Sequence, residues 1–185
     1  MRVLRVILPI AALAVAACND NLGPVDWSDV PDTVTLFSAS RPALTGQVSG
    51  FDFTAPRPVA LESSSTGQSF DVALTDQNGT FSLLPSGALL GQANRAGIAL
   101  VAGVDSLKQI QKAVTDTSAY QQNLPVAMRP GSFFIVRSRR VSCVLTTGSF
   151  YAKMEVISVD SVAGTMKFAY VRNPSCGDQT LIPPG

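Results

Sequence analysis

The sequence predicts a mainly β protein, an antiparallel β-sandwich or a partly open barrel with one short helix. Three successive runs near the C-terminus, residues 133–136, 150–159 and 165–171, are rich in β-branched and aromatic residues and are separated by turns that contain glycine. The first half of the chain adds two further runs joined by an Asn-Gly pair, and a single segment has helical spacing. Strands that follow one another without intervening helices pair antiparallel and build sandwiches or barrels.

The N-terminus has the layout of a bacterial lipoprotein signal. Arg2 and Arg5 precede an apolar run over residues 6–15, which is shorter than the roughly 20 residues that a membrane-spanning helix needs. The run leads into Val-Ala-Ala-Cys, which resembles the lipobox that receives a diacylglyceryl group on its cysteine sulfur. We therefore predict that residues 1–17 are a cleaved signal peptide and that Cys18 is lipidated. Ordinary secretory cleavage that leaves Cys18 free is the alternative.

Residues 18–32 are predicted to tether the lipidated cysteine to a single β-domain over residues 33–185. The tether holds four aspartates, two prolines and a glycine but no basic residue, a composition that does not build a packed core. Its Trp27 is expected to dock on the flank of the domain. Two or more acyl chains hold a protein stably on a membrane. We therefore expect the chain in the bacterial cell envelope, facing the periplasm or the outer-membrane surface.

The first strands of the domain are short. Residues 33–37 form a β-branched run that begins the domain, and residues 51–53 alternate briefly. Residues 59–62 are expected at a sheet edge, because the neighbouring Pro56 and Pro58 have no N–H group to donate to an interior ladder.

The clearest local prediction is a β-hairpin. Residues 69–75 alternate between polar and apolar side chains, and Asn78 and Gly79 supply the two positive-φ residues of a tight turn into residues 80–84. A buried strand over residues 98–101 is expected to follow.

One helix is predicted, over residues 106–114, because Leu107, Ile110 and Val114 recur on one face. Residues 120–130 are expected to be a long connection, and long connections in compact domains often carry binding residues.

The length of the connection between the last two strands predicts which of their residues pair. A five-residue connection over residues 160–164 places Val159 opposite Thr165 and sets the remaining pairs by counting outward. On the apolar face this pairs Met154 with Tyr170 and Val156 with Phe168. The opposite face carries three charged residues and is expected to meet solvent: Lys153, Glu155 and Lys167.

The preceding strand, residues 132–139, is apolar on both faces and is expected in a central, covered position. In an up-down-up meander its end and the end of the last strand lie at the same sheet edge, which predicts a disulfide between Cys143 and Cys176. Lipidation of Cys18 leaves these two as an even pair in an oxidising compartment. Two separate buried thiols are the alternative.

Composition argues against several functions. Net charge is +1 and charged residues make up 15% of the chain, so nucleic acid is not an expected partner. Because the sequence has no histidine, it lacks the commonest general base and the commonest metal ligand. We expect no enzyme and no metal site. The carboxylates available for paired acid–base chemistry are predicted in turns or on solvent-facing strand positions: Asp52, Glu62, Asp71, Asp76 and Glu155.

A basic cluster at the end of the central strand is the best binding candidate. Arg137 and Arg139 share one face of the predicted strand, and Arg140 follows, with Arg129 as a further member. Their planar guanidinium groups could jointly hold a carboxylate or a phosphate. The alternative is a solvated strand end balanced by nearby acids.

Five segments taken in order resemble the HmuY-type haem-binding lipoproteins of bacteria. They are GFDF (residues 50–53), FDVAL (70–74), FFIVRS (133–138), YAKM (151–154) and MKFAYV (166–171). The resemblance implies a mostly β, lipid-anchored carrier that binds haem in a cleft without reacting on it.

Haem ligands in that family are usually a histidine pair, with methionine pairs in some members. Only Met128, Met154 and Met166 remain in this chain after signal removal, and no ligand of the family maps onto them. Met154 and Met166 fall on the predicted apolar face, whereas Met128 lies in a predicted loop from which a thioether could reach iron.

Two functions from different classes follow. The first is a non-catalytic envelope lipoprotein whose β-domain is a binding or structural surface module for an envelope protein partner, with no cofactor. The second is a carrier of haem or another small anionic ligand, held near Arg137, Arg139 and the loop over residues 120–130. Arg140 and Met128 are further candidate ligand-binding residues. A carrier needs a concave pocket near those residues, whereas a surface module needs none.

Overall fold

The computed structural model describes residues 26–42, 46–63, 67–77, 79–91, 96–144 and 146–184. These residues form two five-stranded antiparallel sheets, a small two-stranded pair and one short α-helix, with no closed barrel, which confirms the predicted mainly β fold. Cys18 and the predicted signal peptide lie outside the described residues. No helix within those ranges is both long and apolar enough to span a bilayer.

The strands, in chain order, are β1 (Asp32–Phe37), β2 (Gly50–Asp52), β3 (Arg57–Val59), β4 (Val72–Gln77), β5 (Thr80–Pro85), β6 (Gly97–Val101), β7 (Val126–Ala127), β8 (Phe133–Arg137), β9 (Val141–Ser142), β10 (Thr147–Gly148), β11 (Tyr151–Asp160) and β12 (Thr165–Arg172). The first sheet has the order β1-β12-β11-β8-β6 and the second has the order β3-β2-β4-β5-β7. Strands β9 and β10 form a separate small pair.

Several predicted elements are confirmed. The β4–β5 hairpin pairs Gln77 with Thr80, which leaves two residues for the turn, and Gly79 has a φ of 78°. Strand β3 holds Pro58 and lies at the edge of the second sheet, although it is shifted toward the N-terminus from the predicted residues 59–62. Strand β8 lies between β11 and β6 with both faces covered, as its apolar sequence predicts.

The register of β11 and β12 is partly as predicted. Met154 pairs with Tyr170 and Val156 with Phe168, but a β-bulge at Ile157 shifts the remaining pairs by one residue. Asp160 therefore pairs with Thr165 across a four-residue turn. A bulge places two residues opposite one and cannot be seen by counting outward from the turn.

The main core fills the space between the two sheets. Phe51 packs edge-on against Phe53 and Phe168, with ring centroids 4.8 and 5.5 Å away, and lies 5.0 Å from the ring of Tyr170. These aromatic contacts join β2 of the second sheet to β12 of the first. The chain crosses between the sheets at one corner, where Ala39 donates its N–H to the carbonyl of Leu74.

A second apolar layer covers the outer face of the first sheet. Leu107, Ile110 and Tyr120 pack there against side chains of β8 and β12, and Trp27 is partly buried in the same layer, which confirms its predicted docking. Lys153 was predicted to face solvent, but it is only 1% exposed beneath this layer and donates to the carbonyl of Ile110 at 3.2 Å.

The predicted helix over residues 106–114 is wrong. Only Leu107–Gln109 is helical, as one turn of 3₁₀-helix, and the α-helix of the structure is α1 (Ser86–Leu90). A 3₁₀ turn also places residues i and i+3 on one side, so the spacing of Leu107 and Ile110 fits either structure. Packing on the first sheet, rather than helical periodicity, accounts for these apolar positions.

The predicted disulfide between Cys143 and Cys176 is confirmed. It joins the segment that follows β9 to the tail that follows β12, at one end of the first sheet. Beside it, the tail is held by a backbone hydrogen bond of 2.9 Å from Gly177 to Ser149.

Candidate functional site

A polar cleft lies at the end of the first sheet where β8 ends and β11 begins. Its volume is about 430 Å³. Two arginines, three uncharged polar side chains and two glycines line it: Gln122, Arg137, Arg140, Gly148, Ser149, Tyr151 and Gly177. We refer to it as the arginine cleft. It brings together two of the four arginines of the predicted basic cluster, one residue of the predicted binding loop and the surroundings of the disulfide.

Arg137 is fixed by its strand and by an aromatic ring. It is the last residue of β8 and pairs across the sheet with Tyr151. Its guanidinium carbon lies 5.0 Å from the ring centroid of Tyr120, within the range of a cation–π contact. Tyr120 can approach because Gly97 has no side chain: a Cβ there would lie 2.6 Å from the Cβ of Tyr120.

The ring beneath Arg137 stays neutral. Tyr120 is buried and donates its hydroxyl to the carbonyl of Val114 at 3.0 Å. Burial, together with the nearby Tyr151, raises the pKa of Tyr120 to about 12. The phenol therefore remains protonated at neutral pH, and it does not neutralise the guanidinium above it.

Arg140 enters the cleft from the small β9–β10 hairpin. It is exposed and donates to the carbonyl of Thr147 at 3.3 Å. The hairpin packs closely on the disulfide, because a Cβ at Gly148 would lie 2.6 Å from the sulfur of Cys176. The disulfide and the glycine together hold the Arg140 side of the cleft against the C-terminal tail.

The arginine cleft carries uncompensated positive charge. The ion pairs found among the described residues involve Arg41, Arg57 and Arg139, and none involves Arg137 or Arg140. Among the described residues that line the cleft, none carries a carboxylate. Two guanidinium groups surrounded by neutral hydrogen-bonding side chains form a site for an anion.

Arg139 is not part of this site, which corrects the prediction that it shares a face with Arg137. Strand β8 ends at Arg137, and in the irregular segment that follows, Arg139 is directed to the second sheet. There its guanidinium binds both oxygens of Asp52 at 2.9 and 3.1 Å and one oxygen of Asp71 at 3.2 Å. Its backbone N–H also donates to Asp71 at 2.8 Å.

The acidic partners of Arg139 were predicted in exposed positions, and this was wrong. Asp52 is 1% exposed and Asp71 is fully buried. Burial alone would raise the pKa of Asp52, but the hydrogen bonds from Arg139 and Thr54 outweigh it and lower that pKa. For Asp71, burial dominates and raises the pKa to about 6 despite the nearby Arg139.

The buried Asp71 predicts an unusual dependence of stability on pH. Its folded-state pKa, about 6, lies above the ordinary value of 3.8, so between these values the folded state holds a proton that the unfolded state has released. The free energy of unfolding should therefore rise by about 1 kcal/mol as pH falls from 7 to 5. The full contribution of about 3 kcal/mol is reached only once pH falls below the unfolded-state pKa of 3.8. Asp52 and Asp76, whose pKa values are lowered, weaken the fold only below about pH 4.

Urea unfolding at pH 7 and pH 5 tests this. The native protein should be more stable at pH 5, and an Asp71→Asn variant should lose that difference. An equal rise in the variant would assign the effect to another group.

Met128 does not join the arginine cleft. It is 9% exposed and packs in the core between the sheets, and Met154 and Met166 are fully buried there. Met128 and Arg129 lie beside Ser132, at the opposite end of β8 from Arg137. Five strand residues separate the two ends by roughly 16 Å. Among the residues with described positions, no group of three His, Cys, Asp or Glu side chains is arranged to hold a metal ion.

No protein-family model matches the chain. A search of curated proteins also finds no match. The resemblance to HmuY-type lipoproteins therefore stays a prediction.

Sequence reasoning missed two polar residues of the cleft, Ser149 and Tyr151, and did not single out Gln122 within the predicted binding loop. One of them had a usable signal. Strand β8 runs antiparallel to β11, and aligning their two apolar runs would have placed Tyr151 beside Arg137. The position of Gln122 depends on how the segment after β6 folds over the first sheet, which no local pattern indicates.

Proposed function

We propose that this chain is a lipid-anchored protein of the bacterial cell envelope whose β-domain binds a small anionic ligand without chemical reaction. The observation that carries the proposal is the arginine cleft, in which Arg137 and Arg140 face a common space and have no carboxylate partner within the described ranges. Guanidinium groups bind carboxylates and phosphates through paired, charge-assisted hydrogen bonds. The neutral groups of Gln122, Ser149 and Tyr151 are suited to the uncharged parts of such a ligand.

The lining supports binding rather than catalysis. Ser149 and Tyr151 are the hydroxyl-bearing side chains of the cleft, and neither has a carboxylate or a thiolate beside it in the lining to act as its base. Arginine stays protonated at physiological pH and does not fill that role. The groups present can hold and orient an anion.

Titration calorimetry tests ligand binding. The probes are inorganic phosphate, citrate and haemin, whose propionates provide carboxylates of the kind that the cleft is proposed to bind. They are titrated into mature protein that carries Cys18→Ser and therefore no lipid. At least one probe should bind saturably with one site per chain. A double variant, Arg137→Gln with Arg140→Gln, should bind it at least roughly 100-fold more weakly, because each charged hydrogen bond contributes about 1.5–3 kcal/mol.

An Arg129→Gln variant is the matched control for the titration, since Arg129 is an exposed arginine outside the cleft. It should bind the same probe with unchanged affinity. The proposal would be contradicted if the double variant bound the probe as tightly as the protein that retains both arginines. It would also be contradicted if none of the three probes bound saturably.

The membrane anchor is proposed from the Val-Ala-Ala-Cys sequence and from the short distance along the chain between Cys18 and β1. Trp27 packs on the domain, so few residues separate the lipid from the folded part. A Cys18→Ser substitution should move the protein from the membrane fraction to the soluble fraction of fractionated cells. Mass spectrometry of the N-terminal peptide should show diacylglyceryl on the native chain only. Continued membrane retention of the variant would argue against the anchor.

A further inference from the structure

The sandwich has an open side where the edge strands of its two sheets border a common groove. Strand β6 is the last strand of the first sheet and β7 is the last strand of the second. Leu100, near the C-terminal end of β6, is 63% exposed although it belongs to a strand. An exposed leucine on a free sheet edge is a feature that proteins usually avoid, because it invites pairing with another chain.

The backbone of Leu100 has free hydrogen-bonding groups. Ile98 exchanges both of its backbone hydrogen bonds with Gln121, at 3.0 and 2.9 Å, on the side of β6 away from β8. Backbone groups alternate in direction along an antiparallel strand, so Leu100 presents its N–H and C=O on that same side. Within the described ranges, no backbone group pairs with them there.

Strand β7 presents a second free pair. The N–H of Met128 bonds to the carbonyl of Phe81, so Met128 and Val126 direct their backbone groups toward β5. Ala127, between them, therefore directs its N–H and C=O away from the second sheet. Both free edges border one hollow of about 310 Å³, which we call the edge groove. The residues that line it are Leu100, Ala127, Met128, Arg129 and Ser132.

The positive charge of Arg129 restricts which molecules can occupy the edge groove. Arg129 is exposed in the edge groove and again in an adjoining hollow of about 260 Å³. Its guanidinium has no carboxylate partner among the residues that the structure describes. An occupant with an acidic side chain beside an apolar one matches Arg129 and Leu100 together.

We propose that the edge groove binds an extended peptide segment of a partner protein by β-strand addition to β6. The peptide pairs its backbone with Leu100, places an apolar side chain against Leu100 and Met128, and directs a carboxylate to Arg129. Main-chain pairing supplies affinity in this mode, while alternate side chains supply specificity. This inference does not depend on the arginine cleft, which lies at the other end of β8.

A second copy of the chain is a poorer occupant. Gln121 already covers the first half of the β6 edge, so two copies related by a twofold axis would pair only around Leu100. The same symmetry would bring two Arg129 side chains toward each other without an intervening carboxylate. A peptide from a different protein has neither restriction.

A displayed library of random seven-residue peptides, selected on the immobilised mature protein with Cys18→Ser, tests the proposal. Enriched peptides should combine alternating apolar residues with an aspartate or glutamate. Leu100→Pro should abolish their binding, because it removes the outward N–H while leaving the ladder with β8 intact. Arg129→Glu should weaken it at least tenfold. If the proline impairs folding, Leu100→Lys serves as a second variant of the same strand edge. Val162→Lys is the control for a general loss of apolar surface, because Val162 is 90% exposed in a turn.

Several results would contradict the proposal or part of it. Library selection without enrichment, or enriched peptides that bind all edge variants equally, would overturn the proposal. Peptides that depend on Leu100 but not on Arg129 would overturn its acidic preference. Sedimentation of the native protein that shows a dimer lost in Leu100→Pro would assign the edge to a second copy. Titration of the same variants with the anionic probes should be unchanged, which keeps this test separate from that of the arginine cleft.

Discussion

Replacement of Arg139 by methionine is expected to destabilise the domain by about 3–5 kcal/mol at pH 7. The guanidinium is the shared partner of Asp52, the last residue of β2, and Asp71, the residue before β4, and both aspartates are almost completely buried. Methionine fills much of the same space but leaves two carboxylates in the interior without their cation. Arg172 does not replace it, because that side chain donates to the carbonyl of Thr54 and stacks on Phe150 at 4.1 Å.

Arg57→Met provides the matched control for this substitution. Arg57 also pairs with Asp52, at 3.7 Å, but its side chain is 53% exposed. Exposed pairs contribute little, so its loss should cost at most about 1 kcal/mol. Urea unfolding at pH 7 measures both variants. The Arg139→Met penalty should shrink at pH 5, because Asp71 then takes up a proton and no longer needs the cation.

A combined variant, Arg139→Met with Asp52→Asn and Asp71→Asn, tests the cause of the loss. It should recover part of the lost stability, since it removes the unpaired buried charges. A single Arg139→Met variant as stable as Arg57→Met would show that the buried ion cluster is not needed for the fold.

Loss of the disulfide is the second large expected effect. Cys143 and Cys176 are separated by 33 positions, and closing a loop of that length lowers the entropy of the unfolded chain. The chain-entropy account predicts that Cys143→Ser with Cys176→Ser lowers the free energy of unfolding by about 3.5–4 kcal/mol. This is a large fraction of the roughly 5–15 kcal/mol that stabilises a typical domain.

The double serine variant should also bind the anionic probes less well than the native protein. The β9–β10 hairpin that carries Arg140 contacts the disulfide through Gly148, so its position depends on the bridge. Urea unfolding of the variant and the native protein measures the stability change, and non-reducing peptide mapping verifies the bridge in the native chain. A stability change below about 1 kcal/mol, with the bridge intact in the native protein, would contradict the entropy argument.

The parts of the fold that could be predicted from sequence are those set by local signals. The β4–β5 hairpin followed from alternation and an Asn-Gly turn. The apolar pairs Met154–Tyr170 and Val156–Phe168 were also predicted correctly, but only because the bulge offsets a one-residue error at the turn, where Asp160 rather than Val159 pairs with Thr165. The bulge at Ile157 has no such signal, because an extra residue in one strand depends on how both strands twist.

Burial of charged residues was the main failure of sequence reasoning. Lys153, Asp52 and Asp71 were predicted at positions that meet solvent, but residues distant in sequence cover all three. Lys153 is covered by the segment around Ile110, and the two aspartates are paired by Arg139, which lies 68 positions after Asp71. Partners this far apart cannot be identified without the tertiary structure.

The candidate site, like the fold, was predicted only in part from the sequence. A run of arginines after an apolar strand predicted an anion site, and two of its three members, Arg137 and Arg140, do line one cleft. Which of the three turns away depends on where β8 ends. The sequence has no proline or glycine over residues 133–142 to mark the end of the strand, so it does not show that Arg139 leaves the sheet.

The most direct test of anion binding is an NMR titration of the isotopically labelled mature protein with Cys18→Ser, using citrate as the probe. We expect saturable shifts confined to the arginine cleft, including the backbone amides of Arg140, Ser149 and Gly177 and the side-chain amide of Gln122. Arg129 should be unaffected. The absence of saturable shifts, or shifts centred on Arg129 and Leu100 instead, would contradict the assignment of the arginine cleft as the anion site.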